Sequence, residues 1–198
     1  MGSNVEDALL KGIEALISKN VGLAEDVIRG DAAVNSLQLE LEDAIVKLIA
    51  TEQPVARDLR RLVSMLKIVA NLERMADHAV HLAKAAVRFR NEEYVIPIEL
   101  LERMGNLCVT MIHDALTAFV NGDEKLARDI AGHDSAVDEL HRNVTDRILD
   151  VMREGGRSVK QAARLLLIAR FLERLGDHVT NICEWIVFTE TGKHVELN

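Results

Sequence analysis

The stretch Leu72-Glu73-Arg74-Met75-Ala76-Asp77-His78 returns as Leu172-Glu173-Arg174-Leu175-Gly176-Asp177-His178. Five of the seven positions are identical, so the chain reads as two copies of one unit. Around the first copy, Leu62, Leu66, Val69, Leu72, Ala76, Ala79, Ala83 and Ala86 recur at three- and four-residue steps. Around the second, Leu165, Ile168, Leu172, Leu175, Val179, Ile182 and Ile186 do the same. That is the period of an amphipathic helix, and such stripes report packing rather than chemistry.

Further upstream, GDAAVNSL (Gly30 to Leu37) is echoed by HDSAVDEL (His133 to Leu140). The offset is 100 residues for the first match and 103 for the second, and the slip falls at turns of different length around Pro54 and Gly155-Gly156. A length change confined to a turn is what a duplication leaves. Breakers divide the chain into six helical stretches, near 5–20, 23–50, 54–90, 98–120, 123–153 and 158–189. Gly30-Asp31 is a candidate interruption of the second, Pro54 fits the first turn of the third, and Asp123 is a good N-cap for the fifth. The expectation is an all-α protein of two antiparallel three-helix repeats, 1–91 and 92–198, packed as one unit without a sheet.

Composition agrees. The 198 residues are 48% hydrophobic, with 3% aromatics and only two prolines, which favours helix over sheet. A net charge of −8 argues against nucleic acid as a partner, since binding it needs a basic footprint. No apolar run reaches the ~18 residues of a membrane span, and the N-terminus lacks the basic and apolar stretches of a secretory signal. Cys108 and Cys183 form no Cys-x-x-Cys motif and read as reduced core thiols of a cytoplasmic protein.

The geometry of the hairpins gives the repeat a chemical meaning. With the first turn centred near Val55, Asp31 and Asn35 lie 24 and 20 residues before it, and Glu73 and Asp77 lie 18 and 22 after. With the second centred near Gly156, Asp134 and Asp138 lie 22 and 18 before, and Glu173 and Asp177 lie 17 and 21 after. At ~1.5 Å per residue both groups sit roughly 30 Å from their turn, at one level on adjacent helices. Each hairpin thus gathers four oxygen-bearing side chains beside its apolar stripe. Two readings are open. Arg74 and Arg174 can bridge to Asp77 and Asp177 at the i+3 spacing, which is an ordinary salt bridge. Alternatively, a hard cation offsets the repulsion of clustered carboxylates. His78 and His178 are turned about 100° from the aspartates and read as capping or supporting residues. His81 has Asn181 as its counterpart, while His133, His141 and His194 belong to no constellation.

The segments QPVARDLR (Gln53 to Arg60), LERMADH, LERLGDHVTNICEWI (Leu172 to Ile186) and MIHDALTAF (Met111 to Phe119), with the acidic stretches at Asp31 and Asp134, resemble the PhoU family of phosphate-signalling regulators of bacteria and archaea. The resemblance covers nearly the whole chain. It implies two three-helix bundles related by a pseudo-twofold, with metal held at the duplicated Glu/Asp-x-x-x-Asp motifs. Some members carry iron clusters there; others carry zinc, magnesium or manganese. Carried over, Glu73 with Asp77, Glu173 with Asp177, and Asp134 with Asp138 match. Asp31 is followed by Asn35, a departure that removes one charge from the first half. The first helix is shorter than is usual in the family. The resemblance further implies a homodimer, not an enzyme, that negatively regulates phosphate uptake and the phosphate-starvation response. It would act by contacting the phosphate ABC transporter ATPase and the sensor histidine kinase. Two alternatives stand beside it: an accessory, chaperone-like transporter subunit without functional metal, and a carboxylate-bridged di-iron enzyme. The second would need a duplicated Glu-x-x-His, which this chain lacks.

Overall fold

A computed structural model describes residues 1–155 and 158–197. Among them are seven α-helices and no strand: α1 (Gly2–Ser18), α2 (Val21–Glu52), α3 (Ala56–Phe89), α4 (Glu99–Asn121), α5 (Glu124–Gly132), α6 (Asp134–Glu154) and α7 (Ser158–Thr191). The all-α reading holds, with two three-helix bundles in which α5 and α6 together take the place of one expected helix.

The helix ends follow local chemistry. Lys19 turns left-handed after α1, and the Asn20 side chain accepts the Leu23 N–H at 3.1 Å to cap α2. Gln53, at φ 49°, stops α2, and Val55 is extended before α3. Pro54 therefore stands two residues outside the third helix and not in its first turn. Asp123 caps α5 as expected, its carboxylate accepting the Leu126 N–H at 2.9 Å. The turn expected at Gly156 lies outside the described residues; Gly155, at φ 76°, ends α6.

Two expectations about breaks exchange places. Gly30-Asp31 does not interrupt α2, which runs unbroken for 32 residues. The fifth stretch, expected to be continuous, breaks at the repeat-equivalent position, His133-Asp134. There the His133 N–H reaches the Ile130 carbonyl and the Ala136 N–H reaches the His133 carbonyl, both three residues back, while Ser135 Oγ donates to the Gly132 carbonyl. Three-residue bonds tighten the winding and redirect the axis. The consequence is that Asp31 sits inside a helix, whereas Asp134 heads one.

α3 and α7 form the central antiparallel pair. Arg57 pairs with Glu190 at 2.5 Å at one end, and Arg164 with Glu92 at 3.2 Å at the other. Midway, His178 Nδ1 meets Asn71 Oδ1 at 2.9 Å, His78 stacks on Phe171, and the rings of His78 and His178 stand 5.7 Å apart. Equivalent residues of two copies touch each other only at a pseudo-twofold axis, so the axis passes through the repeated heptad. α1 and α2 pack on α3; α4, α5 and α6 pack on α7; α1 also touches α4.

One continuous core includes Leu9, Ile13, Leu72, Met75, Leu82 and Phe89 from the first half and Met104, Ile112, Ile148, Leu165, Leu172 and Ile182 from the second. Of the stripe read from α3, Leu62 and Leu66 are only half-buried. They lie toward the hairpin tip, which the 17-residue α1 is too short to cover. Leu39, Val46 and Val55 are exposed on that part of the hairpin.

α1 approaches α3 at Gly12, where a Cβ would lie 3.0 Å from the Ala79 carbonyl oxygen. Backbone cannot yield as a side chain tip can. Gly12→Val should therefore cost about 1–3 kcal/mol. Gly30→Ala, in a mid-helix position with nothing within 4 Å of the added methyl, should instead gain about 0.5–1 kcal/mol. Urea unfolding of the two variants beside the parent checks both signs.

Candidate functional site

In the first half, α3 supplies Glu73 and Asp77 and α2 supplies Asp31 and Asn35, all half-buried. Asn35 Nδ2 donates to Asp31 Oδ2 at 3.2 Å. Arg74 lies between the two acids of its own helix, 3.5 Å from Glu73 and 3.6 Å from Asp77. The salt-bridge reading is thus realised here, loosely. Burial nonetheless raises the Glu73 pKa, helped by Asp77, opposed by Arg74, and raised again by Asp31 and Glu42. The influence of Asp31 and Glu42 on Glu73 runs across the hairpin between α2 and α3, in keeping with the count from the turn.

In the second half the expected four carboxylates, Asp134, Asp138, Glu173 and Asp177, line a single cleft of about 410 Å³ together with Ser135 and Leu197. Asp134 is buried, and its pKa is pushed up to about 6, first by burial and then by Asp138, Asp177 and Glu173. Glu173 is raised by burial and by Asp177, against Arg170. The Arg174–Asp177 bridge is absent among the described residues. Instead Arg170, one turn earlier, pairs with Glu173. The first half has Ala70 at that place, so the two halves neutralise their glutamates differently.

Position 76/176, one of the two at which the heptads differ, has a steric cause. A Cβ on Gly176 would stand 2.2 Å from Asp134 Oδ1. Because α6 begins at Asp134, its carboxylate lies against α7, and a Cβ at 176 would force that side chain to turn away. In the first half Ala76 is tolerated beside the uninterrupted α2.

Several groups went unrecognised in the sequence. Gln38 and Glu42 continue the line of Asp31 and Asn35 at helical spacing, with Gln38 Nε2 donating to Glu42 Oε1 at 3.0 Å. His141 and Thr145 occupy the equivalent places after Asp134 and Asp138. The His141 pKa is lowered by burial and by Arg170 and raised by Asp138, and His141 does not line the cleft. The i, i+4, i+7, i+11 polar stripe was the signal available. His194 is no isolated residue: it stacks on Phe188 with ring centres 4.1 Å apart. His78 and His178 face the α3–α7 interface, away from the acids. Both cysteines are free and buried in the core, and burial pushes their thiols up to about 12.

Two observations bear on a cation. Among the described residues, no three His, Cys, Asp or Glu side chains close tightly enough around one point to ligate an ion as they stand. On the other side, Asp31 Oδ1, Asn35 Oδ1, Thr145 Oγ1 and Glu173 Oε2 are buried oxygens without a hydrogen-bond partner. Buried unpartnered oxygens are costly; these four lie at the acidic levels, while Ser64 Oγ and Thr180 Oγ1 are unpartnered elsewhere. An all-oxygen donor set with orphaned buried oxygens fits a hard cation, given small rotations of the side chains.

Fold and site define a tandem three-helix-bundle protein with a duplicated acidic level on either side of a pseudo-twofold. The family model described as the PhoU domain matches it twice, over residues 1–86 and 101–186. The chain belongs to the PhoU family. It is 37% identical to the phosphate-specific transport system accessory protein PhoU homolog of Clostridium acetobutylicum, across 100% of this chain and 91% of that protein. The crystal structure of PhoU from Pseudomonas aeruginosa superposes with a TM-score of 0.94 at 30% identity, covering 98% of this chain and 93% of that one. That of the phosphate transport system regulatory protein PhoU from Streptococcus pneumoniae gives 0.91 at 33%, covering 98% and 91%.

The pKa directions predict a pH signature. Asp134 has a folded value, about 6, above its ordinary 3.8. The stability it contributes is complete below pH 3.8 and is lost as pH rises through 6. His78 has a folded value, about 4, below its ordinary 6.5. Its contribution is complete above pH 6.5 and is lost as pH falls toward 4. The two slopes oppose each other in one window, and each difference corresponds to about 3 kcal/mol at most. With chelator present, Asp134→Asn should be more stable than the parent at pH 7.5. It should also lose stability more steeply on acidification from pH 6.5 to 4. Thermal unfolding across that range measures both effects.

Proposed function

We propose that this chain is a metal-binding regulatory adaptor, not an enzyme, which negatively regulates phosphate uptake and the phosphate-starvation response. It would do so in the cytoplasm, as a homodimer, by contacting the phosphate ABC transporter ATPase and the sensor histidine kinase. Family membership supports the phosphate-transport setting, since the relatives are named as accessory or regulatory proteins of that system. Among the described residues no helix is long and apolar enough to cross a membrane, in keeping with membrane association through partners only.

The observation that carries the metal reading is the second cleft. Four carboxylates share it, Asp134 is strongly disfavoured as an anion there, and a Glu173 oxygen is buried without a partner. Asp134, Asp138, Glu173 and Asp177 would hold the ion in this half. Asp31, Glu73 and Asp77 with the Asn35 carbonyl would hold one in the other. When bound, the cation supplies positive charge that lets these acids ionise together. Oxygen donors suit iron, magnesium or manganese, with zinc also accommodated. Asn35, which removes one negative charge, makes the first half the weaker site. Absence of metal with the same adaptor role is the alternative, and a metal-free accessory subunit would satisfy the same comparisons.

Elemental analysis of protein purified without added metal, then after chelation and reloading, separates these readings. The pair Glu173→Gln with Asp177→Asn should lower retained metal by at least half while leaving helical content unchanged, because core packing supplies most of the helix stability. Equal metal content in the double variant would remove the site. In cells, a deletion strain should show raised phosphate uptake and starvation-gene output in high phosphate; no change in either would sink the regulatory role.

A further inference from the structure

On the other side of the pseudo-twofold from the α7 C-terminal half, α3 and α7 enclose a groove. Its floor is Phe89, Ile168 and Phe171, and its rim carries Lys84, Arg88 and Arg164. Leu167, 59% exposed, stands at the edge. Arg164 is tied to Glu92, but Lys84 and Arg88 have no acidic partner among the described residues. Two cations without an acidic partner thus stand beside an exposed leucine and an aromatic floor.

The duplication shows that this chemistry is not inherited from the scaffold. The repeat-equivalent positions of Lys84 and Arg88 are Glu184 and Phe188; those of Leu167 and Phe171 are Lys67 and Asn71. There the structure closes on itself. Lys67 lies over the Trp185 ring, Glu184 accepts the Leu197 N–H, and His194 stacks on Phe188. One copy has satisfied its surface internally, while the other leaves cations and an apolar edge open.

Size selects the occupant. The groove measures about 170 Å³. Sites for whole small molecules run from about 300 Å³ upward, whereas a cavity of about 150 Å³ accommodates a benzene-sized group. The space therefore suits one large side chain. The protein's overall negative charge does not prevent an acidic approach, because charges more than ~8 Å away are largely screened at physiological salt and the local cations dominate. We propose that this groove docks an acidic segment of a protein partner, which inserts one large apolar side chain between α3 and α7 and sets its carboxylates against Lys84 and Arg88. The inference does not rest on the metal reading, since none of these residues belongs to the acidic clefts.

The test uses the full chain with chelator present and a fluorescein-labelled synthetic peptide, Glu-Glu-Leu-Phe-Glu-Glu, followed by fluorescence anisotropy. The expected result is saturable binding that weakens with salt. It should weaken at least about tenfold in Lys84→Glu with Arg88→Glu, and measurably in Leu167→Ser. These residues are exposed, so circular dichroism should match the parent. No saturable binding to the parent overturns the proposal. So does equal binding by the charge-reversed variant, or equal binding of a peptide with serines in place of Leu-Phe, which would mean simple charge attraction. Displacement of the peptide by inorganic phosphate or ATP at equal concentration would instead assign the groove to a small anion and equally overturn it.

Discussion

Where α3 crosses α7, the heptad of one copy lies against the heptad of the other, and His78 meets His178. That crossing fixes everything around it. The same helices that pack through Leu72, Met75, Leu172 and Leu175 carry Glu73, Asp77, Glu173 and Asp177 on their flanks. Moving either helix along the other would uncouple the two cores and tilt both acidic levels together. At the crossing itself the contacts are the rings of His78, His178 and Phe171, while the ion pairs Arg57–Glu190 and Arg164–Glu92 close the two ends. Midway along the pair, the contact of Asn71 with His178 adds a register. A half-buried polar pair of this kind is a means of specifying alignment where apolar packing alone would slide.

Around that fixed crossing the two halves have diverged in how they treat the same problem. Carboxylates beside a core are disfavoured as anions, and something must offset them. In the first half Arg74 reaches both acids of its helix, Asn35 dilutes the charge, and Asp31 remains inside a continuous α2. In the second, the break at His133 sets Asp134 at the head of α6 and places it against Gly176, and Arg170 serves Glu173 alone. The second cleft is the more concentrated in negative charge.

The flanks of the α3–α7 pair differ in the same way. Near the C-terminal end of α7, aromatic and charged residues are consumed by Lys67 and by the returning segment through Leu197. Toward the other end, Lys84, Arg88 and Leu167 keep their surfaces free. A pseudo-symmetric scaffold thus presents two unlike faces, as a protein with different contacts to make on each side would need.

The heptad repeat, the helical periods and the count of residues from each turn made the helices, the duplication and the acidic levels legible. All of these depend on spacing along one chain, which α-helical geometry converts directly into position. Asp31 with Glu73, and Asp134 with Asp138, Glu173 and Asp177, were reachable by that arithmetic. Other features were not. Nothing local distinguishes Gly30-Asp31 from His133-Asp134 as a place to break, because the choice depends on what each helix packs against. The difference between glycine at 176 and alanine at 76 takes its meaning from Asp134, which lies against that face. Arg170 in place of Arg174 as the partner of Glu173, the joining of Glu42 to the first acidic cluster, and the open groove at Lys84 and Arg88 are likewise products of helix rotation and approach. Sequence spacing determines which residues share a helix face and a level; only packing between helices decides which of them meet, which are neutralised, and which are left facing outward.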